Sequence, residues 1–109
     1  MPPTAVVFYQ EEDGSVPLQE WLDRLPAKAQ AKCLARLKRL EDLGHELRAS
    51  LGGVHYRILY FFYSNIVAVV SHGMTKEHRV PPREIERAIE RKSRFTTNPP
   101  RYMFRPELS

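Results

Sequence analysis

His55, Arg57 and His72, together with the run Gly73-Met74-Thr75-Lys76-Glu77-His78-Arg79, supply the side-chain types that metal-free cleavage of RNA requires. That reaction needs a base to take the proton of a 2′-hydroxyl, cations to meet the charge gathering on phosphorus, and an acid for the departing 5′-oxygen. Arginine is permanently charged and grips two phosphate oxygens at once, so Arg57 suits transition-state stabilisation best. Histidine titrates near neutrality and could act as base or acid; His72 is preferred because it should face Arg57 on a sheet, with His55 close by. Lys76, His78 and Arg79 add further cations within a few residues. A structural reading competes for each: His72 could end a strand and bond to backbone, and His45 looks like a helix C-terminal residue favoured by the dipole.

Other chemistries fit less well. The four histidines include no His-x-x-x-His on a helix, and no acidic cluster lies near the basic end of the sheet, so no metal or other cofactor is expected. The lone Cys33 forms no internal disulfide and no cysteine-rich zinc site; it reads as a small core residue. Ser64 and Ser71 fall in turn and strand contexts with no carboxylate to orient a histidine beside them, which argues against a serine nucleophile.

These residues must be positioned by a small α+β domain. Ala5-Val6-Val7-Phe8-Tyr9 reads as a first strand running into an acidic turn. Leu18, Trp21, Leu22 and Leu25 form one helical stripe after Pro17. A second helix from Pro26 to about Leu43 buries Cys33, Leu34, Leu37, Leu40 and Leu43 and stops at Gly44, closing an N-terminal αα-hairpin. Its exposed side carries Lys28, Lys32, Arg36 and Arg39 at helical spacing, which is either a phosphate-binding ridge or a plain solvated face. Val54 to Tyr63 is apolar on both faces in its middle, as a covered central strand should be. Ser64-Asn65 then turns it into Ile66 to His72. With a two-residue turn, opposed residues sum to 129, placing Arg57 across from His72 and His55 across from Met74. Pro81-Pro82 opens a C-terminal helix with Ile85, Ala88 and Ile89 inward and Arg83, Arg87, Arg91 and Arg94 outward. From Thr96 the prolines forbid regular structure, giving one domain over 1–95 and a tail over 96–109 that is loose or wrapped against a partner.

Charge is uneven. Residues 1–25 hold five acids against Arg24, leaving sixteen basic and eight acidic residues, a net +8, over 26–109. Such a field suits RNA, DNA or an acidic protein. No stretch is apolar enough for a membrane span, and Met1-Pro2-Pro3-Thr4 lacks a secretory signature, so a cytoplasmic location without membrane association is expected.

The element order, the strand Tyr56-Arg57-Ile58-Leu59-Tyr60, the following His72-Gly73-Met74-Thr75-Lys76 and the Pro82-x-Glu84-Ile85-x-x-Ala88 stretch together resemble the RelE/HigB toxin superfamily, nearest to its phage-derived HigB-like branch. The resemblance covers residue 5 to about 95. It implies a RelE-like small antiparallel sheet between helices, metal-independent mRNA cleavage in the ribosomal A site, and neutralisation by a partner antitoxin, commonly with a helix-turn-helix domain. By position, Arg57 matches the strand arginine that contacts the scissile phosphate, and Lys76 matches the lysine of the exit motif. Ribosomal RNA would then be held by Lys28, Lys32, Arg36, Arg39, Arg79 and Arg83. A ParE-like module that binds a target without cutting RNA is the alternative.

One departure stands out. Relatives carry an additional strand, with a further basic residue, before the equivalent of Gly52-Gly53-Val54, whereas here only His45 to Leu51 occupy that gap. The strand therefore reads as missing, which would expose the edge of the central strand. A natural shortening, an engineered deletion, or an edge completed by another chain in a homo-oligomer would each account for it.

Overall fold

Residues 5–38, 46–63, 67–75 and 80–106 are described by the structure, a computed structural model. The elements run β1 (Ala5–Tyr9), α1 (Pro17–Asp23), α2 (Ala27–Lys38), β2 (Glu46–Leu51), β3 (Val54–Tyr63), β4 (Val67–Thr75), α3 (Pro82–Thr97) and β5 (Met103–Phe104). The strands form one sheet in the order β2-β3-β4-β1-β5. The class is α+β, with an αα-hairpin and a C-terminal helix, compatible with a RelE-like fold. The sheet is mixed rather than wholly antiparallel, because β1 runs parallel to β4.

The strand expected to be missing is present. Gly52 and Gly53 hold φ of +59° and +81°, the pair of left-handed residues that a tight hairpin turn demands. They fold Glu46–Leu51 back on β3, from Leu51 opposite Val54 to Glu46 opposite Leu59. Six residues suffice because the two-glycine turn spends none of the segment on a loop. β3 consequently has neighbours on both sides, and the exposed edge that would have invited a second copy is absent; the outer strands are β2 and β5.

α1 and α2 cover one face of the sheet. Leu18, Trp21 and Leu22 from α1 and Ala29, Cys33 and Leu37 from α2 pack into a core with Tyr56, Ile58, Tyr60, Ala68 and Val70. Trp21 meets the Tyr56 ring edge-on at 6.2 Å. It also lies over Gly73, where a Cβ would clash with the indole carbons, so β4 passes beneath Trp21 as glycine. Leu40, Leu43, Gly44 and the Ser64-Asn65 turn lie outside the described residues.

α3 covers the opposite face, and its rotation differs from the expected one. Phe95, wholly buried, sits edge-on to Phe61 at 5.9 Å and to Tyr63 at 5.2 Å. Ala88 packs against Leu59, Met74 and Val80. Glu84, Ala88, Arg91 and Phe95 follow i, i+4, i+7, i+11 spacing and form the face laid on the sheet. Ile85 and Ile89, expected inward, are instead 46% and 60% exposed. The aromatic seat of Phe95 and the contacts of Arg91 fix the helix's rotation and turn the isoleucines aside.

The helix also passes the expected boundary at residue 95 and ends at Thr97. Beyond it the chain returns to its own sheet. Tyr102 stacks on Tyr9 at 5.6 Å, its hydroxyl donates to Glu12 Oε1 at 3.0 Å, and Gln10 N–H donates to the Tyr102 carbonyl at 2.9 Å. Met103 and Phe104 then pair antiparallel with Tyr9 and Phe8.

Candidate active site

The site is shaped by one extra residue. β3 and β4 keep one register from Tyr63 opposite Val67 to Tyr60 opposite Val70, then shift, so that Leu59 faces His72 and Arg57 faces Met74. Ser71 is the bulged residue. Val70 before it and Gly73 after it lie on the α1/α2 face, yet Ser71 and His72 both contact α3. Strict alternation would have sent His72 after Val70 to the other face; the bulge re-aims it. The expected pairing of Arg57 with His72 and of His55 with Met74 is thus replaced for two reasons: Tyr63 pairs with Val67, so three residues rather than two separate the strands and opposed residues sum to 130, and the bulge at Ser71 raises that sum to 131. Arg57 and His72 share the α3 face as diagonal rather than direct neighbours.

His72 closes a line of polar groups beneath α3. Its Nδ1 lies 2.7 Å from Ser71 Oγ, and its Nε2 lies 3.5 Å from Glu84 Oε2. Arg91 Nη1 donates to Ser71 Oγ at 3.3 Å and to the Ser71 carbonyl at 3.5 Å, while Arg91 Nε donates to Glu11 Oε1 at 3.3 Å. Arg87 pairs with the other Glu84 oxygen at 3.2 Å. Nε2 faces the Glu84 carboxylate without hydrogen-bond geometry, and the Ser71 hydroxyl can donate to Nδ1 when the ring carries its proton on Nε2. Glu84 is the orienting carboxylate that sequence reasoning found lacking. Even so, Ser71 is completely buried and its hydroxyl is engaged by His72 and Arg91, so it offers no nucleophile to a substrate.

Burial, then the positive charges of Arg91 and Arg87, push the His72 pKa down to about 4 against the pull of Glu84, so the ring is neutral at physiological pH. Between pH 6.5 and about 4 the unfolded chain binds a proton that the folded chain refuses. Stability is therefore full above pH 6.5 and falls as pH drops through that window, by on the order of 3 kcal/mol. Urea unfolding of the wild type and of His72→Gln at pH 7 and pH 4.5 checks this: the variant should lose much less stability on acidification, and equal losses would contradict the assignment.

The anticipated site residues divide into two groups. His55 is exposed and Arg57 half-buried on β3, both on the face that carries α3, and Arg83 is exposed on the first turn of α3. Lys28 and Arg36 are exposed on α2, over the other face. Lys32 is half-buried there and donates through Nζ to the Ser50 carbonyl of β2. The two basic groups thus approach β2 from opposite sides of the sheet. Arg39, Lys76, His78 and Arg79 lie outside the described residues, as does His45. Sequence reasoning missed Arg48, which stands opposite Arg57 in the β2–β3 register; Gly52-Gly53, read as a two-residue hairpin turn, would have revealed it.

Among the described residues no group of three or more His, Cys, Asp or Glu is placed to hold a metal ion, and no helix is long and apolar enough to cross a membrane. Comparison with curated proteins and with solved structures gives no significant match. Residues 20–93, from α1 into α3 and including Arg48, Arg57, His72 and Glu84, match the family model described as phage-derived protein Gp49-like (DUF891). With two-thirds of its length matched, the chain belongs to the Gp49-like family of phage-derived proteins.

Proposed function

We propose that this protein is the toxin of a toxin–antitoxin pair and cuts messenger RNA on the ribosome without a metal. The observation that carries the proposal is the polar end of the α3 face, where His55 and Arg57 share one side of a strand held between two others, with Arg48 opposite Arg57 in the register. Arg57 holds the scissile phosphate and meets the charge that builds on it. His55, open to solvent, takes the proton of the 2′-hydroxyl and returns one to the departing 5′-oxygen. Lys76 follows Thr75, the register partner of Tyr56 one residue before Arg57, and acts as a second cation. His72, buried and neutral, is a positioning residue that ties α3 to β4 through Glu84.

Lys28, Lys32, Arg36, Arg39, Arg79 and Arg83 bind ribosomal RNA phosphates on this reading, so affinity falls as salt rises. Membership of a phage-derived family and resemblance to the RelE/HigB toxins support an antitoxin partner with a helix-turn-helix domain. Brief induction followed by mapping of mRNA 5′ ends tests the proposal. New ends confined to translated reading frames are expected. Folded protein that produces none would leave a RelE/ParE-like module that binds its target without cutting it.

A further inference from the structure

We infer that the groove between α3 and β3 receives an amphipathic helix of a partner protein, with an acidic side chain of that helix set against Lys92. The inference stands independently of RNA cleavage.

Seated on Glu84, Ala88, Arg91 and Phe95, α3 holds the neighbouring stripe Ile85, Ile89 and Lys92 beside a cavity of about 300 Å³ whose walls include Leu59, Phe61 and Val80. Leu59 and Phe61 are buried there, while Ile85 and Ile89 stand open to solvent. On α1 and α2, by contrast, Leu18, Leu22 and Leu37 are fully buried and Leu34 is half-buried. A groove with apolar walls and an exposed aliphatic rim fits a protein segment better than RNA, which would need several phosphate contacts where the described lining supplies one cation.

The sheet decides the form of that segment. β3 is flanked by β2 and β4, so an extended peptide has no free strand edge to pair with here. Lying in an apolar groove it would leave its backbone groups unsatisfied, whereas a helix satisfies its own. Helical spacing also matches the stripe: apolar side chains at i, i+3, i+4 and i+7 can lie along Ile85 and Ile89. Lys92 is the sole charged residue among the described lining residues and stands one turn beyond Ile89. A carboxylate on the incoming helix complements it, in keeping with the chain's net charge of +4.

Fluorescence anisotropy of the full chain with labelled helical peptides of about eighteen residues tests the inference. One peptide carries a leucine stripe flanked by glutamates, a second has lysine in place of glutamate, and a third is the first with its order scrambled. The glutamate peptide should bind at least about ten-fold more tightly than the other two. Ile89→Asp should remove that advantage, and Lys92→Glu should reverse the preference between the glutamate and lysine peptides. All three groove-rim residues are exposed, so circular dichroism should show these variants folded. Equal binding of the scrambled peptide, or a preference that Lys92→Glu leaves unchanged, would overturn the inference. So would a dimer in sedimentation that Ile89→Asp dissolves, because the groove's occupant would then be a second copy.

Discussion

Arg57→Ala, under the proposed function, should lower the rate of single-turnover RNA cleavage on programmed ribosomes by about 10²–10³-fold and abolish growth arrest on induction. The size of the effect follows from how the side chain is presented. Arg57 projects from a strand paired on both sides, and its neighbours Tyr56 and Ile58 are buried on the opposite face against α1 and α2. Under the proposed function, a strand fixed this way presents the arginine with little backbone reorganisation when charge develops on the phosphate. Arg57→Lys keeps the charge but loses the two-pronged grip, so its rate should fall between those of the wild type and the alanine variant. Far-UV circular dichroism should show both variants folded. Cleavage by folded Arg57→Ala at the wild-type rate would remove the residue from the mechanism.

The second large effect is on stability. Phe95→Ala should cost about 3–5 kcal/mol, read as a fall in melting temperature on the order of 15 °C or more. Phe95 is the fully buried side chain by which α3 holds the sheet, and it fills the space between Phe61, Tyr63, Val7 and Val69. Its loss should also reach His72, because Glu84 and Arg91 are delivered to Ser71 and His72 by the same helix. Phe95→Leu keeps most of the volume and should recover most of the loss. A melt unchanged by the alanine substitution would mean that the polar contacts alone hold α3 in place.

Strong periodicity made much of this fold readable in the sequence. The two-faced apolar run of β3, the Leu18/Trp21/Leu22 stripe and the buried Cys33 all follow from residue type and spacing. Three features did not. The bulge at Ser71 leaves no mark in an alternating strand, yet it sets which residues face Arg57. β2 has no β-branched residue and its segment is short, although Gly52-Gly53 carry the signal for its turn. The isoleucines of α3 suggest one rotation of the helix, but Phe95 and a set of charged side chains determine another. Sequence pattern ranks helix faces by apolarity; it does not foresee a face whose polar residues find partners beneath it.

The parallel pairing of β1 with β4 also rests on contacts between residues far apart in the chain. Ala5 pairs with Val67, and Phe8 with both Val70 and Phe104, so β1 finds its partners far along the chain. Hairpins β2–β3 and β3–β4 and the contacts of α1 with α2 are local and cost little loop-closure entropy, whereas insertion of β1 requires closure of a long loop. Until then Ala5 to Tyr9 is an apolar strand without neighbours. The acids Glu11, Glu12 and Asp13 that follow it directly are suited to act as gatekeepers against aggregation before that closure.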